Sequence, residues 1–306
     1  MSCFAADWLA LREPVDARAR DPDLARAFAA RLPRPARLAD FGAGTGANAR
    51  ALAPLIGTDQ TWILVESDPA LRSAQRAAFL AWADRSGYAA RAADAAVIVT
   101  AAGCTWRFET LALDLAQGWA PLEAAGIDAV TCAAFLDLAA RAWIERLAAW
   151  LAARRLPFLA ALTVNGRRAW TPPLDADAAV AALFRRHQAR DKGLGPAAGG
   201  SAPEHARKTL ADNGFFVTMG ASDWHLGGAD RGLLAALVAG EAAAALETAP
   251  ELRATIAGWR RQRLDAAAAG TLGAVIGHRD LLALPWGICN KGPVRRGGEG
   301  PCRRRL

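Results

Sequence analysis

The sequence predicts an α/β fold in three layers, a mostly parallel sheet between two sets of helices, with an antiparallel closing strand and extra helices. Two observations carry that reading. Short apolar runs alternate with helix-like stretches over the first 165 residues, the order that a parallel sheet with crossover helices requires. The chain also has 306 residues at 53% apolar content, enough for one sizeable core.

The elements follow in order. Residues 21–32 read as a helix with acids at its start, broken by Pro33 and Pro35. Residues 36–41 are strand-like, 42–46 glycine-rich and 47–56 helical. A strand over 62–65 ends at Glu66, and a helix over 69–83 starts with proline in its first turn. Strands are expected over 106–113, ending at Asp114, over 127–133, and over 158–164; a long amphipathic helix over 138–153 separates the last two. The second half is less regular. Helices are expected over 176–190, 204–212, 230–246 and 250–269, a Gly/Pro-rich loop over 191–203, a strand over 215–219, and a final strand from 272–276 and 280–284. Asn213-Gly214 is a helix-stop signal.

Composition narrows the function classes. No run of 18 uncharged apolar residues suggests a membrane span, and the first residues do not read as a signal peptide. Cys3, Cys104, Cys132, Cys289 and Cys302 form no CxxC pair, so they read as free thiols in a reducing cytoplasm. No His/Cys/Asp cluster has metal-binding spacing, and no metal is expected. The net charge of +7 hints at nucleic acid, but residues 286–306 supply +5 of it, leaving +2 for the rest. That basic segment reads as a disordered tail rather than a binding arm.

The segment Asp40-Phe41-Gly42-Ala43-Gly44-Thr45-Gly46 joins a strand-like run to a helical run, where a nucleotide-binding turn belongs. Glycine permits unusual backbone angles there and lets a ligand approach the main chain. The following helix presents free N–H groups and a positive dipole end. Glu66, 20 residues past Gly46, ends the next strand, where a carboxylate can accept hydrogen bonds from ribose hydroxyls. Gly42, Gly44 and Ala47 also fit the dinucleotide pattern G-x-G-x-x-G/A, so a nicotinamide-dependent oxidoreductase competes.

At these residues the chain resembles the class I S-adenosylmethionine-dependent methyltransferases, a Rossmann-like family. Their D/E-x-G-x-G-x-G motif is matched by Asp40, Gly42, Gly44 and Gly46. The resemblance implies a seven-stranded sheet, S-adenosyl-L-methionine as cofactor, and Asp40 near its methionine end. It implies Glu66, with Asp68 as second candidate, at the ribose and Asp114 at the adenine amino group. The acids at three strand ends favour this family over a dinucleotide enzyme. It covers residues 30–165 in motif terms, and gives one domain over 1–285: a helical lead 1–35, a cofactor half 36–165 and a substrate-shaping half 166–285, followed by the tail.

The acceptor is expected to be a small molecule. The segment after strand 127–133 lacks the N/D-P-P-Y/F sequence of many base and glutamine methylases. Asp137 either orients or deprotonates the acceptor or caps the helix that follows. Cys132 reads as a small buried strand residue. Contacts to the acceptor are expected over 165–230. There His187 is the candidate base, against the plainer reading of a histidine at a helix C-terminus, and it clusters with Gln188, Asp191 and Lys192. Trp224 and His225 form a second polar-aromatic cluster. Three alternatives stay open: the oxidoreductase, a nucleic-acid methylase using the tail, and a relic that binds cofactor without turnover.

Overall fold

The computed structural model describes residues 5–287. Two helices lead, α1 (Ala6–Ala19) and α2 (Pro22–Ala29), the second capped by Asp21, whose carboxylate accepts from the Asp23 and Leu24 amides. Then come β1 (Ala36–Phe41), α3 (Ala47–Ile56), β2 (Gln60–Val65) and α4 (Pro69–Arg85), followed by β3 (Ala89–Ala93), β4 (Ala96–Ala101) and β5 (Cys104–Leu111). After α5 (Ala120–Ala125) and β6 (Ala129–Ala133), α6 (Arg141–Arg154) leads to β7 (Phe158–Thr171). The remainder holds α7 (Asp177–Gln188), α8 (Ala202–Asp212), β8 (Phe215–Ala221), β9 (Trp224–Leu226), α9 (Arg231–Thr248), α10 (Arg253–Ala268) and β10 (Gly273–Pro285).

The strands form one sheet in the order β3-β4-β5-β2-β1-β6-β7-β10-β8, with β9 beside β10. β5, β2, β1, β6 and β7 run parallel; β10 is antiparallel to both β7 and β8. The parallel core and antiparallel closing strand agree with expectation, and the count does not: the described residues form ten strands rather than seven. The β3–β4 hairpin extends the β5 edge, and β3 is almost wholly exposed, which deprives it of the apolar alternation that marks a strand.

Alternation sorts the core residues. On β2, Trp62 and Leu64 face α2, α3 and α4, whereas Ile63 and Val65 face α5, α6 and α8. Each face of a buried parallel strand needs its own apolar set, which is why these runs are continuously hydrophobic. Beyond the parallel part, β7 and β10 continue as a bulged ribbon, and a third apolar cluster joins it to α1, α7, α9 and α10. The expected strand 158–164 stops short of that ribbon because Asn165–Arg168 are partly exposed and polar. Among the described residues, no helix is long and apolar enough to cross a membrane.

Candidate functional site

The strand order creates the site. β1 sends its crossover helix to one side and β6 sends its own to the other, so a crevice opens at their carboxyl ends. A cavity of about 450 Å³ occupies it, and Gly42, Gly44, Glu66, Asp68 and Asp114 all line its wall. Of the acids expected at successive strand tips, Glu66 and Asp114 meet at this cavity beside the glycine loop, and Asp40 does not line it.

The glycine loop is held from three directions. Glu66 Oε2 accepts from the Gly44 amide at 2.9 Å, and Oε1 accepts from the Asp68 amide at 2.9 Å. Gln75 Nε2 donates to the Gly44 carbonyl at 2.8 Å, while Thr110 Oγ1 donates to Gln75 Oε1 at 2.5 Å. Gly44 lies at φ +56° and an added Cβ would stand 3.0 Å from Leu9 on α1. Gly46 is the N-cap of α3 at φ +89°, and a Cβ there would run into the Phe79 ring. Gly46 is not part of the cavity wall; its glycine serves packing, whereas Gly42 and Gly44 face the cavity.

Asp40 sits one layer behind. It is 1% exposed, and its Oδ1 accepts from Asn48 Nδ2 at 2.6 Å and from Thr131 Oγ1 at 3.0 Å. Burial pushes its pKa up to about 6, and its Oδ2 has no hydrogen-bond partner. Asn48 occupies the wall in its place, and its Oδ1 accepts from Arg20 Nη1 at 2.8 Å. Asp68 caps α4, accepting from the Ala70 amide at 2.7 Å. Asp114, exposed and three residues past the end of β5, accepts from the Ala116 amide at 2.9 Å.

Helix α1 closes the opposite wall with Leu9, Arg12, Asp16 and Arg20. The last three recur every four residues and so share a face. Arg12 forms a two-point ion pair with Asp16, and Asp16 also accepts from Trp224 Nε1 at 3.0 Å. Glu13 holds the almost fully buried Arg50 on α3 through two hydrogen bonds. The sequence reading missed Arg12, Arg20 and Asn48. A four-residue polar spacing normally marks a solvated helix face, and its partners here come from remote segments. Asn48 had a local signal: it follows the loop on the first turn of α3.

On the β6 side, Ala133–Phe135 and Leu138 line the cavity, and Asp137 lies just behind them in a short 3₁₀ turn, 7% exposed. It does not cap α6, whose N-cap is Ala140 with no side-chain bond. Its carboxylate accepts from its own amide and that of Val164, Oδ1 has no partner, and burial raises its pKa to about 6. Cys132 is buried in β6, and burial raises its thiol pKa well above the usual value. Cys104 is also a free thiol; Cys3, Cys289, Cys302 and the 288–306 part of the basic tail lie outside the described residues.

The structure does not bring His187 to this site. It lies on the last turn of α7, paired with Glu247 of α9 at 3.0 Å, and is not among the lining residues. Trp224 and His225 likewise stand on β9, outside the wall. Of residues 165–230, only Lys192, Gly193 and Leu194 reach the cavity. The rest build the ribbon and its helices.

Fold and site together define a Rossmann-like α/β protein with a crevice at the carboxyl ends of its parallel strands. No protein-family model matches the chain, and no curated protein matches it. Solved structures resemble it in layout. A cyclopropane-fatty-acyl-phospholipid synthase-like protein from Lactobacillus casei is 15% identical over 89% of this chain and 99% of its own, with a TM-score of 0.46. The cyclopropane synthase MmaA2 from Mycobacterium tuberculosis is 12% identical over 92% and 94%, at 0.44. A SAM-dependent methyltransferase from Thiobacillus denitrificans, in complex with S-adenosyl-L-homocysteine, is 15% identical over 92% and 99%, at 0.41.

Proposed function

We propose that the chain is an S-adenosyl-L-methionine-dependent methyltransferase acting on a small molecule. The observation that carries this reading is the convergence of Glu66, Asp68 and Asp114 on the one cavity that Gly42 and Gly44 open onto. Three properties fit the cofactor. A Cβ at Gly44 would narrow the space between the loop and Leu9. Glu66 accepts one amide on each oxygen, which leaves each a further lone pair for a ribose hydroxyl. Arg20 lines the wall with its Nε buried and unpartnered, a donor for the amino-acid carboxylate.

The bound cofactor would supply a methyl group on a cationic sulfur, a leaving group that needs no protonation. The chain's own contribution is then orientation and exclusion of water. Glu66 and Asp68 hold the ribose end, and Asp114 with Leu113 and Leu115 holds the adenine. Asn48 presents a polar surface to the amino-acid end and is itself held by Asp40 and Arg20. Asp137, buried behind the wall, is a positioning residue for the acceptor side. The cavity is near the low end of small-ligand sites, roughly 300–1,000 Å³, which favours a compact acceptor.

Isothermal titration of the purified chain with S-adenosyl-L-methionine and S-adenosyl-L-homocysteine tests the reading. Micromolar binding is expected, and NADH should give no heat. Absence of binding by either adenosyl compound, or preferential NADH binding, overturns it.

A further inference from the structure

We infer that Lys192 forms an anion subsite at the acceptor end of this cavity, so that the methyl acceptor carries a carboxylate or another compact anionic group. The inference rests on the proposed function and adds the chemical class of the acceptor.

The charged groups on the wall are almost all engaged within the protein. Among the carboxylates, Asp16 holds Arg12 and Trp224, Glu66 holds two amides, Asp68 caps α4 and Asp114 closes its own turn. Among the cations, Arg12 gives Nε and Nη2 to Asp16, and Arg20 gives Nη1 to Asn48, its Nε being the donor assigned above to the cofactor's carboxylate. Lys192 differs. Its ammonium has no hydrogen-bond or ion-pair partner among the described residues, yet it lines the cavity and is partly buried. Its three donors are free to meet acceptor oxygens of a ligand in the cavity. A ligand anion supplies them, and charge-assisted bonds of this kind are about twice as strong as neutral ones.

Lys192 is held in place by a pinned turn. Asp191 Oδ1 accepts from the amides of Gly193 at 2.7 Å and Gly195 at 3.0 Å. The Leu194 carbonyl accepts from the Ala140 amide at 3.1 Å, fastening the turn to the segment that follows Asp137. A side chain on a fixed turn loses less freedom on binding than one on a loose loop.

The position separates Lys192 from the amino-acid end of the cofactor. Two charge groups share the cavity. Arg20 and Glu66 are the charges that act on Asp40, beside the glycine loop; Arg12 and Lys192 are those that act on Asp137, beyond β6. Desolvation lowers the Lys192 pKa, and the nearby Asp137 charge opposes that loss, helping to keep the ammonium charged. Asp137 itself lies behind the wall and does not line the cavity.

Ligand-observed NMR titration of the full chain, saturated with S-adenosyl-L-homocysteine, tests this with benzoate and its neutral isostere benzamide. Benzoate should bind at least fivefold tighter than benzamide. Lys192→Met, which keeps the apolar stem, should bring the two within twofold, and Lys192→Arg should keep the preference. Equal affinities in the wild type, no benzoate binding, or a preference that survives Lys192→Met each overturns the inference. So does a tenfold loss of S-adenosyl-L-homocysteine affinity in Lys192→Met, which would assign the lysine to the cofactor. If that compound fails to bind the wild type at all, the proposed function falls first and the subsite with it.

Discussion

Glu66 at the tip of β2 and Gly44 in the turn after β1 are joined by a 2.9 Å hydrogen bond, carboxylate to amide. One side chain thus fixes the loop and faces the cavity. Glu66→Gln keeps the shape but loses the charge, and its amide can satisfy only one of the two backbone donors. We expect a loss of about 1–3 kcal/mol in cofactor affinity, about fivefold or more, with the fold retained. Titration calorimetry and circular dichroism would check both halves.

The glycines separate into two kinds. Gly46→Ala meets both a left-handed φ and the Phe79 ring, so it should destabilise the protein by about 2 kcal/mol or more in urea unfolding. Gly44→Ala meets a left-handed φ too, but its only close neighbour is Leu9, at 3.0 Å, on a side chain that can turn away. Its stability cost should be the smaller, about 1 kcal/mol, while cofactor affinity falls at least tenfold. Equal stability losses in the two variants would contradict this division.

Much of the parallel core was legible because each strand carries its signal in consecutive residues. The run 62–65 is apolar throughout and 36–41 is apolar apart from Arg37 and Asp40, and an acid or glycine turn marks where each stops. The glycine loop, Glu66, Asp68 and Asp114 were readable for the same reason. What escaped was non-local. The β3–β4 hairpin is alanine-rich and exposed on its outer strand; the far half of β7 is polar; Arg12, Arg20 and Asn48 gain meaning only when α1 crosses the crevice. His187 resembled a catalytic base through its neighbours in sequence, and those neighbours diverge in space: Lys192 turns into the cavity while His187 turns to α9.

A largely buried ion pair ties helix α1 to α3. Arg50 has a side chain only 3% exposed, and Glu13 is its carboxylate partner. Glu13→Ala leaves that guanidinium with the Thr45 carbonyl and the face of Phe79. Removing one partner of a largely buried pair costs about 3 kcal/mol, a little less here because Glu13 is partly exposed. We expect the variant to be cleaved by trypsin within residues 6–20 well before the wild type. Equal protection would show that the contacts of Asp16 and Arg20 hold α1 without Glu13.

Asp137 should leave a signature in the pH dependence of stability. Its pKa in the folded protein is about 6, against a usual 3.8, because burial disfavours the carboxylate. Between those values the native state keeps a proton that the unfolded chain releases, so this group's contribution falls as pH rises through the window. Above pH 7 the ionised, buried carboxylate costs on the order of 3 kcal/mol relative to its state in the unfolded chain, at about 1.4 kcal/mol per pKa unit. Asp40 behaves in the same direction, so a difference measurement is needed to isolate Asp137. Asp137→Asn removes the titration and keeps the volume. Denaturant unfolding of variant and wild type should nearly coincide at pH 4 and diverge toward pH 7.5, the variant becoming more stable by about 2–3 kcal/mol. The same variant should bind benzoate at least as well as the wild type in the cofactor-saturated protein, because it removes a negative charge that acts on Lys192 and repels an anionic ligand. A variant more stable at high pH that loses benzoate affinity would show instead that the Asp137 carboxylate is needed to hold the Lys192 side chain in place.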